Sequence, residues 1–350
     1  MKANDMSAKN KADLHNKIYR KIHHILFQKL NMMKWGNPCY RSWRHAFYLN
    51  GKLKSENANE CKVDLSNIYL TQIPNEGAGI GHQISNYNSG LHYATFFGLK
   101  HAYVNFKNKE WDKFLGFGEN EVTLDSLRKK GYKVRRLPYY GCEQEYNMIR
   151  EIIRSYSGEK VVFLNELDQF YREQYGVCDH LKRKFNSAEA RNKDEIIYDK
   201  EKINLAIHVR RGDIGSAASS SNSNISMRWL DNNYYENVLD NVINRIKEDE
   251  DFRDLCGKQN KDVDIYIFSQ GNKEDFKSFG RFGNVHFCLD MEEKKSFLHM
   301  VRADILITSR SSFSYKPALI SEGIKICPPG FWHDYPNDKK WIKADEKGQF

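Results

Sequence analysis

The sequence predicts an α/β protein with two open parallel sheets, and three observations support this class. Short apolar segments alternate with helical ones from about Asn67 onward. The segment INLAIHV, 203–209, begins with a continuous apolar run, as in strands that a parallel sheet buries on both faces. A charged stretch at 187–201 separates two such alternating regions. Strands that alternate with crossover helices form parallel sheets covered by helices.

The composition supports a large core and a soluble chain. Of the 350 residues, 40% are hydrophobic and 13% are aromatic, which excludes global disorder. The first residues are polar, and we expect neither a secretory signal nor a membrane span. The seven cysteines are odd in number and none are in CxxC spacing, which favours reduced thiols. We therefore expect a cytoplasmic protein.

The positive charge is concentrated in an N-terminal arm, predicted to span residues 1–58. Residues 1–45 hold ten Lys or Arg and two Asp, a net charge of +8 out of +9 for the whole chain. Apolar residues at helical spacing predict an amphipathic helix over 12–34. This helix either packs on the globular body or makes peripheral contact with an anionic membrane surface. We expect no nucleic-acid partner, because no zinc-finger, helix-turn-helix or RNA-recognition signature accompanies the charge.

The first α/β domain is predicted over residues 59–198. Its glycine loop separates the first strand from a long helix. The predicted elements are strands at 66–73, 102–106, 133–140 and 161–167, a helix at 84–101 and a charged helical segment at 166–195.

The second α/β domain is predicted over residues 199–350. It begins with the strand INLAIHV. The other elements are helices at 230–256 and 294–303, strands at 264–269, 285–290 and 304–309, and a helix after the last strand.

Four polar residues follow INLAI: His208, Arg210, Arg211 and Asp213. Ligands of doubly wound sheets bind beyond the carboxyl ends of the strands. Adjacent arginines there suit a diphosphate, because each planar guanidinium can make two charge-assisted bonds to phosphate oxygens. Strand alternation directs the two arginines to opposite sides, and Asp213 could orient one of them. The alternative is a surface ion pair that ends a strand.

A glycine-rich loop lies between the first strand and its helix. The segment NEGAGIGHQ contains Gly77, Gly79 and Gly81 in GxGxG spacing, which does not match the GxGxxG dinucleotide fingerprint. Such glycines allow close approach of a ligand to a helix N-terminus. A tight strand-to-helix turn is the alternative interpretation.

A hydroxyl-rich turn follows the strand DILIT. Ser309, Ser311, Ser312 and Ser314 precede or begin a helix, where hydroxyl and backbone N–H groups make a phosphate-sized site. Serines also cap helices without any ligand. Three loops at strand carboxyl ends thus offer anion-binding chemistry, and this convergence favours function.

Three other motifs are interpreted as structural or coincidental. Asp262-Val263-Asp264 has the DxD form of some metal-binding transferase sites, but it opens a strand, and we expect a solvated strand start. Arg211-Gly212-Asp213 matches the integrin-binding tripeptide by coincidence. FWHDYP, 331–336, is predicted to be a packed turn.

The three loops together resemble the fucosyltransferase superfamily of α-1,2- and α-1,6-fucosyltransferases and protein O-fucosyltransferases. HVRRGD matches its HxRRxD peptide, NEGAGIGHQ resembles its glycine-rich loop, and DILITSRSSFS resembles its late strand-turn-helix. The resemblance covers about residues 67–330. It implies a GT-B fold of two facing Rossmann-like domains, a GDP-fucose donor, a glycan acceptor, inversion at the anomeric carbon, and no cofactor or metal.

The resemblance also implies roles for residues. It places Arg210 and Arg211 at the GDP pyrophosphate, and Ser311, Ser312 and the Phe313 backbone near the β-phosphate. It implies that His208 and the catalytic candidate Asp213 shape the loop and the ribose or guanine pocket, and that Phe268 and Ser269 border the nucleotide. The donor-binding positions of the glycine loop are Gly77, Gly79, Gly81 and His82.

The sequence departs from the family pattern at the catalytic base. Ala217 and Ala218 stand where the α-1,6 enzymes carry a glutamate. Glu76 is our candidate base, with Asp213 and His208 as alternatives. The linkage stays open between α-1,2 and α-1,6. Two other functions stay open: a GT-B enzyme with another nucleotide sugar, and a non-enzymatic anion- or glycan-binding protein.

Overall fold

The computed structural model describes residues 48–50, 63–141, 143–167, 173–214, 227–258 and 262–350. The predicted amphipathic helix at 12–34 and the positions Ala217 and Ala218 lie outside these residues.

The first sheet has four parallel strands in the order β2-β1-β4-β3. Its strands are β1 (Ile68–Gln72), β2 (Lys100–His101), β3 (Lys133–Arg136) and β4 (Val161–Asn165). The helices of this region are α1 (Ile80–Phe96), α2 (Lys109–Leu115), α3 (Leu124–Lys129), α4 (Glu143–Arg154) and α5 (Cys178–Ser187).

The second sheet has six parallel strands in the order β10-β9-β8-β5-β6-β7. They are β5 (Ile203–His208), β6 (Val263–Ser269), β7 (Val285–Leu289), β8 (Ile305–Ile307), β9 (Ile324–Cys327) and β10 (Trp341–Lys343). Its helices are α6 (Asn232–Glu248), α7 (Glu250–Cys256), α8 (Glu293–Arg302) and α9 (Ser312–Ile320). All six residues of β5 are buried, which agrees with the uncharged run INLAI. The predicted α/β class with two parallel sheets is confirmed.

Two hydrophobic clusters account for most of the core. One packs β5, β6 and β8 against α6, with Leu205, Ile207 and Val238 at its centre. The other joins α1, α5, α8 and α9 through residues such as Ile84 and Phe297. The second cluster connects the helices of both sheets.

The chain divides into two compact units. One combines residues 1–65 with 137–159, and the other combines 66–136 with 160–350. In the first unit, Asn50 donates through Nδ2 to Glu159 Oε1 at 2.7 Å. The second unit contains both sheets. The predicted domain limits at 58/59 and 198/199 stay predictions.

Several predicted elements differ from the observed ones. The segment predicted as a strand at 102–106 is wrong: β2 comes earlier, at Lys100–His101, and Tyr103 only bridges Thr123. The long helix begins at Ile80 rather than at 84, because the glycine turn leads directly into it. The helix predicted at 230–256 is interrupted at Asp249, whose extended backbone starts α7 and whose side chain accepts from Phe252 N.

None of the helices within the described residues is long and apolar enough to cross a membrane.

Candidate functional site

The candidate site lies where the strand order of the second sheet reverses. Strands β5 and β8 are neighbours, but the chain leaves β5 toward β6 on one side and leaves β8 toward β9 on the other. Such a reversal opens a crevice at the carboxyl ends of the strands. Strand β5 ends at His208 and is followed by VRR, and β8 is followed by TSRSS. The fold therefore brings two of the three predicted anion-binding segments together.

His208 is held rigidly at this edge. Its ring is nine-tenths buried, and Nδ1 lies 2.7 Å from Ser309 Oγ. Ser309 in turn contacts Ser314, with 3.3 Å between the two Oγ atoms and 3.1 Å between Ser309 N and Ser314 Oγ. The ring also packs on Phe313, with centroids 5.5 Å apart. The hydroxyls expected to bind phosphate at Ser309 and Ser314 are thus engaged in positioning His208.

Arg210 reaches across the crevice to the start of α9. Its Nη1 donates to Ser311 Oγ at 3.3 Å. The same oxygen caps α9 by accepting from Phe313 N at 3.2 Å. Because Ser311 Oγ accepts twice, its O–H proton is left to donate. A guanidinium, a hydroxyl donor and the positive end of a helix dipole therefore converge on one point.

Arg211 points to the opposite side of the strand end. Its guanidinium donates to the carbonyl of Leu230 at 3.1 Å and to Asn232 Oδ1 at 2.6 Å. It also lies over the Trp229 ring, 4.0 Å from the centroid. Burial lowers the pKa of Arg211 from its ordinary value. The two adjacent arginines thus diverge, and Arg211 ties the loop to α6.

The glycine loop meets the same region through the N-terminus of α1. A Cβ at Gly81 would lie 2.8 Å from the backbone carbon of Ser312, so close helix packing requires glycine there. A Cβ at Gly79 would meet nothing, and at Gly77 only Asn75 Oδ1 at 3.6 Å. Gly79 precedes α1 and provides no side-chain cap. The N-termini of α1 and α9 are therefore neighbours.

Two side chains of α1 hold this loop in place. Asn86 Oδ1 accepts from Asn75 N at 2.9 Å, and Gln83 Nε2 donates to the Ala78 carbonyl at 2.8 Å. The predicted donor-binding residue His82 is half-buried in the first turn of the helix.

The candidate base Glu76 lies on the outer part of the loop. Its side chain is 67% exposed, and Oε2 is 3.5 Å from Lys107 Nζ. Asp213, an alternative base, falls in a short 3-10 turn at 212–214, and its side chain lies outside the described part of the molecule.

The remaining predicted donor-binding residues differ in burial. Phe268 is 1% exposed and belongs to the core beneath the sheet edge. Ser269 Oγ donates to the Val209 carbonyl at 2.7 Å and so supports the arginine loop. Ser312 and Phe313 begin α9 and are half-buried.

The DxD motif lies away from the crevice, and the FWHDYP motif packs within the core. Asp262 and Asp264 stand at the amino end of β6. Asp264 is buried and pairs with Lys202 at 3.0 Å, so the expected solvated side chain is wrong for Asp264. In FWHDYP, the His333 ring stacks on Tyr315 at 5.2 Å, as expected of a packed turn.

Tyr235 is a site neighbour that the motifs did not indicate. It is buried on α6. Burial raises the pKa of its hydroxyl, and nearby Arg211 and Arg310 together with hydrogen bonds to Ser309 and the Arg210 backbone oppose that rise. The sequence shows only that Tyr235 lies at a helical spacing. That spacing indicates that Tyr235 is buried but not which strand ends it contacts.

Within the described residues, no group of three or more His, Cys, Asp or Glu side chains is arranged to hold a metal ion. Metal independence stays a prediction.

Comparison by sequence finds no matching family model and no matching curated protein. Comparison of structures finds similarity to an α-1,6-fucosyltransferase, NodZ, soaked with GDP-fucose: 13% identity, 73% of this chain, 92% of that chain and a TM-score of 0.41. A selenomethionine form of NodZ from Bradyrhizobium gives 13% identity over 73% and 92% of the chains, with a TM-score of 0.39. POFUT1 in complex with GDP-fucose gives 11% identity over 81% and 99%, with a TM-score of 0.43. Similarity at this level carries no inference about chemistry, which must come from the residues.

Proposed function

We propose that this protein is an inverting glycosyltransferase that moves L-fucose from GDP-fucose to a hydroxyl of a glycan acceptor, in α-1,2 or α-1,6 linkage. In this proposal the β5/β8 crevice binds the GDP diphosphate. The choice of fucose rests on the HVRRGD, NEGAGIGHQ and DILITSRSSFS segments, which resemble the fucosyltransferase superfamily.

One observation carries the diphosphate assignment. The Arg210 guanidinium and the Ser311 hydroxyl are in contact at the N-terminus of α9. An arginine fork makes charge-assisted bonds with phosphate oxygens, and helix N-termini favour anions. Ser312 and the Phe313 backbone continue this surface, while the glycine loop at Gly77, Gly79 and Gly81 closes it from the side of α1. Arg211 contributes by fixing the backbone that carries Arg210.

The proposed reaction is a single displacement. The acceptor hydroxyl attacks the anomeric carbon of fucose from the face opposite GDP, and the bond between that carbon and the β-phosphate oxygen breaks with both electrons on the oxygen. Arg210 and Ser311 stabilise the charge that develops on GDP, the role that a metal ion has in other transferases. A base removes the acceptor proton. We propose Glu76, with Asp213 and His208 as alternatives.

A nucleotide screen tests the proposal. We expect GDP and GDP-fucose to raise the thermal unfolding temperature more than UDP, CMP or their sugars do, because ligand that binds only the folded state stabilises it. Turnover of GDP-fucose with glycan acceptors should persist in EDTA.

The same screen separates the alternatives. Preference for another nucleotide sugar would replace fucose in the proposal. Absence of turnover with any nucleotide sugar, together with ligand binding that is lost when residues 1–45 are removed, would favour the non-enzymatic binding protein. We further propose a cytoplasmic location and peripheral membrane contact through residues 12–34. Loss of binding to anionic vesicles on deletion of that segment, with activity retained, tests the membrane contact.

A further inference from the structure

A second cleft lies beside the proposed diphosphate crevice, on the side toward which Arg211 points. It has a volume of about 700 Å³ and opens at the carboxyl ends of β5 and β6, next to the N-terminus of α6. Its walls include Arg211, Trp229, Asp231, Asn233, Gln270 and Asp275. Neither Arg210 nor Ser311 lines this cleft, so it lies apart from their contact at the start of α9.

The cleft contains an indole ring in a fixed orientation. Trp229 is half-buried, its Nε1 donates to Asp231 Oδ1 at 2.7 Å, and Arg211 lies over one face of its ring at 4.0 Å. A ring held at two points loses little conformational entropy when a ligand packs on it.

Neutral amide groups surround this ring. Asn233 is exposed in the first turn of α6. The Gln270 amide lies against the backbone at Gly212, where a Cβ would be 1.7 Å from Gln270 Oε1. Gly212 also has a φ of +38°. Glycine at position 212 therefore leaves room for the Gln270 amide in the wall of the cleft. Each amide offers both a donor and an acceptor.

The charges of the cleft restrict its ligand. Asp231 and Asp275 contribute two carboxylates, while the single guanidinium of Arg211 is already bonded to Leu230 and Asn232. The resulting net negative charge disfavours a phosphate or a nucleotide. None of the lining side chains is aliphatic, which disfavours a lipid. An aromatic ring with carboxylate and amide groups suits a neutral ligand that has both C–H faces and hydroxyl groups.

We propose that this cleft binds a neutral oligosaccharide, at a place distinct from the diphosphate crevice. The sugar packs on the edge and open part of the Trp229 ring and exchanges hydrogen bonds with Asn233, Gln270 and Asp275. This proposal depends on the proposed function in one respect, which is that the expected acceptor is a glycan. Because Arg210 and Arg211 point to opposite sides of β5, glycan and nucleotide can bind at once, and the cleft holds part of a glycan chain away from the reacting hydroxyl.

Saturation-transfer NMR on the full-length protein tests this, with neutral hexose and N-acetylhexosamine oligosaccharides as probes and no nucleotide present. We expect binding to the wild type and at least about fivefold weaker binding to Asn233→Ala and Trp229→Ala, as for central contacts of a binding site. Asn244→Ala, an exposed asparagine farther along the same helix, is the matched control and should bind as the wild type does. Because Asn233 is exposed, its variant keeps the test valid if Trp229→Ala does not fold.

The outcomes separate the two proposals. Oligosaccharide binding that survives Arg210→Ala while GDP binding is lost supports two separate sites. If the wild type binds none of the probes, or if Asn233→Ala and Asn244→Ala bind equally, the carbohydrate assignment is wrong. If Asn233→Ala loses GDP affinity instead, the cleft belongs to the nucleotide. Failure of GDP-fucose turnover alone would reject the proposed function and leave this result intact.

Discussion

In both sheets two strands that are distant in sequence lie side by side at the centre, β1 beside β4 and β5 beside β8, but these two junctions, here called the first and second reversals, have opposite chemistry. In the first sheet, β1 and β4 are neighbours and end in Gln72 and Asn165. Asn165 Nδ2 donates to Gln72 Oε1 at 3.0 Å and to Ser89 Oγ at 3.1 Å, and all three side chains are buried. In the second sheet, the corresponding ends present a half-buried guanidinium and a serine that caps a helix. The side chains of the first reversal are buried and bonded to one another, whereas the Arg210 guanidinium of the second is only half-buried.

This difference shows that topology locates a crevice while side chains decide whether it is a site. Buried amides must be hydrogen-bonded, and the first sheet satisfies them internally. A guanidinium has five N–H donors and forms charge-assisted bonds with anions. Mutations at the first reversal should therefore change stability, and mutations at the second should change ligand binding.

The largest expected effect is that of Arg210→Ala. Removal of one preorganised donor to developing charge costs about 10²–10³ in rate, or about 3–4 kcal/mol. Arg210→Ala should therefore fold, lose most turnover and bind GDP more weakly in calorimetry. Arg210→Lys should restore only part, because a point charge does not replace the planar fork.

Arg211→Ala sharpens this prediction. Its contacts with Leu230, Asn232 and Trp229 are internal, so this variant should lower stability more than Arg210→Ala does. Arg128→Ala, at an exposed ion pair with Asp125, is the neutral control. Wild-type turnover in both Arg210→Ala and Arg211→Ala would contradict the diphosphate assignment.

Glu76→Gln should reduce turnover by about 10²-fold, the lower end of the range for general-base catalysis. The carboxylate is largely exposed and not held by other groups of the site, so GDP affinity should stay unchanged. Steady-state kinetics and calorimetry on the same variant measure both quantities. Unchanged turnover would remove Glu76 from the mechanism and leave Asp213 and His208.

Gly81→Ala tests whether the helix contact positions the crevice. Its Cβ would clash with Ser312 at the start of α9, and overpacking of this kind costs about 1–3 kcal/mol. Both unfolding free energy and GDP affinity should fall. Gly280→Ala, at an exposed position outside the proposed site, is the matched control, because a Cβ there meets nothing. Equal behaviour of the two variants would show that α1 and α9 need not approach closely.

Asn165→Ala addresses the closed reversal of the first sheet. Loss of the amide leaves buried Gln72 Oε1 without this donor, which costs about 1–3 kcal/mol. Chemical denaturation should show this loss, while GDP affinity of the folded protein stays as in the wild type. A large loss of GDP affinity with normal stability would mean that the first reversal also binds ligand.

Much of the site was predictable because it lies in local sequence patterns. The run INLAI identifies β5, and the residues that follow a buried strand reach the ligand edge whatever the tertiary details. The position of Gly81 against Ser312 was not predictable, since it depends on two helices far apart in sequence. Strand β10 was missed because WIK is short and half-exposed, and its assignment depends on pairing with β9. Likewise, the pattern RR indicates two cations, but only the contacts of Trp229 and Ser311 show which one faces the crevice.

The smallest expected effect concerns Lys316 of α9, which bonds to a second group of buried amides. Its amine is fully buried and donates to Gln174 Oε1 at 3.0 Å, and Gln174 Oε1 also accepts from Asn88 at 2.8 Å. Burial lowers the pKa of Lys316 well below its ordinary value.

Between that lowered pKa and the unfolded-chain value of about 10.4, the unfolded chain carries a proton that the folded protein lacks. Stability should therefore rise with pH through this window, by at most about 1.4 kcal/mol per pH unit for one proton. The Lys316→Met variant should lack that rise in stability. Burial lowers the pKa of Lys325 to about 8, but Lys325 titrates in both the wild type and the variant, so its contribution cancels in the difference between their stabilities. Urea denaturation of both proteins from neutral pH to about pH 10 measures the effect. Parallel curves would mean that Lys316 keeps its proton in the folded state and is a buried cation rather than a neutral amine.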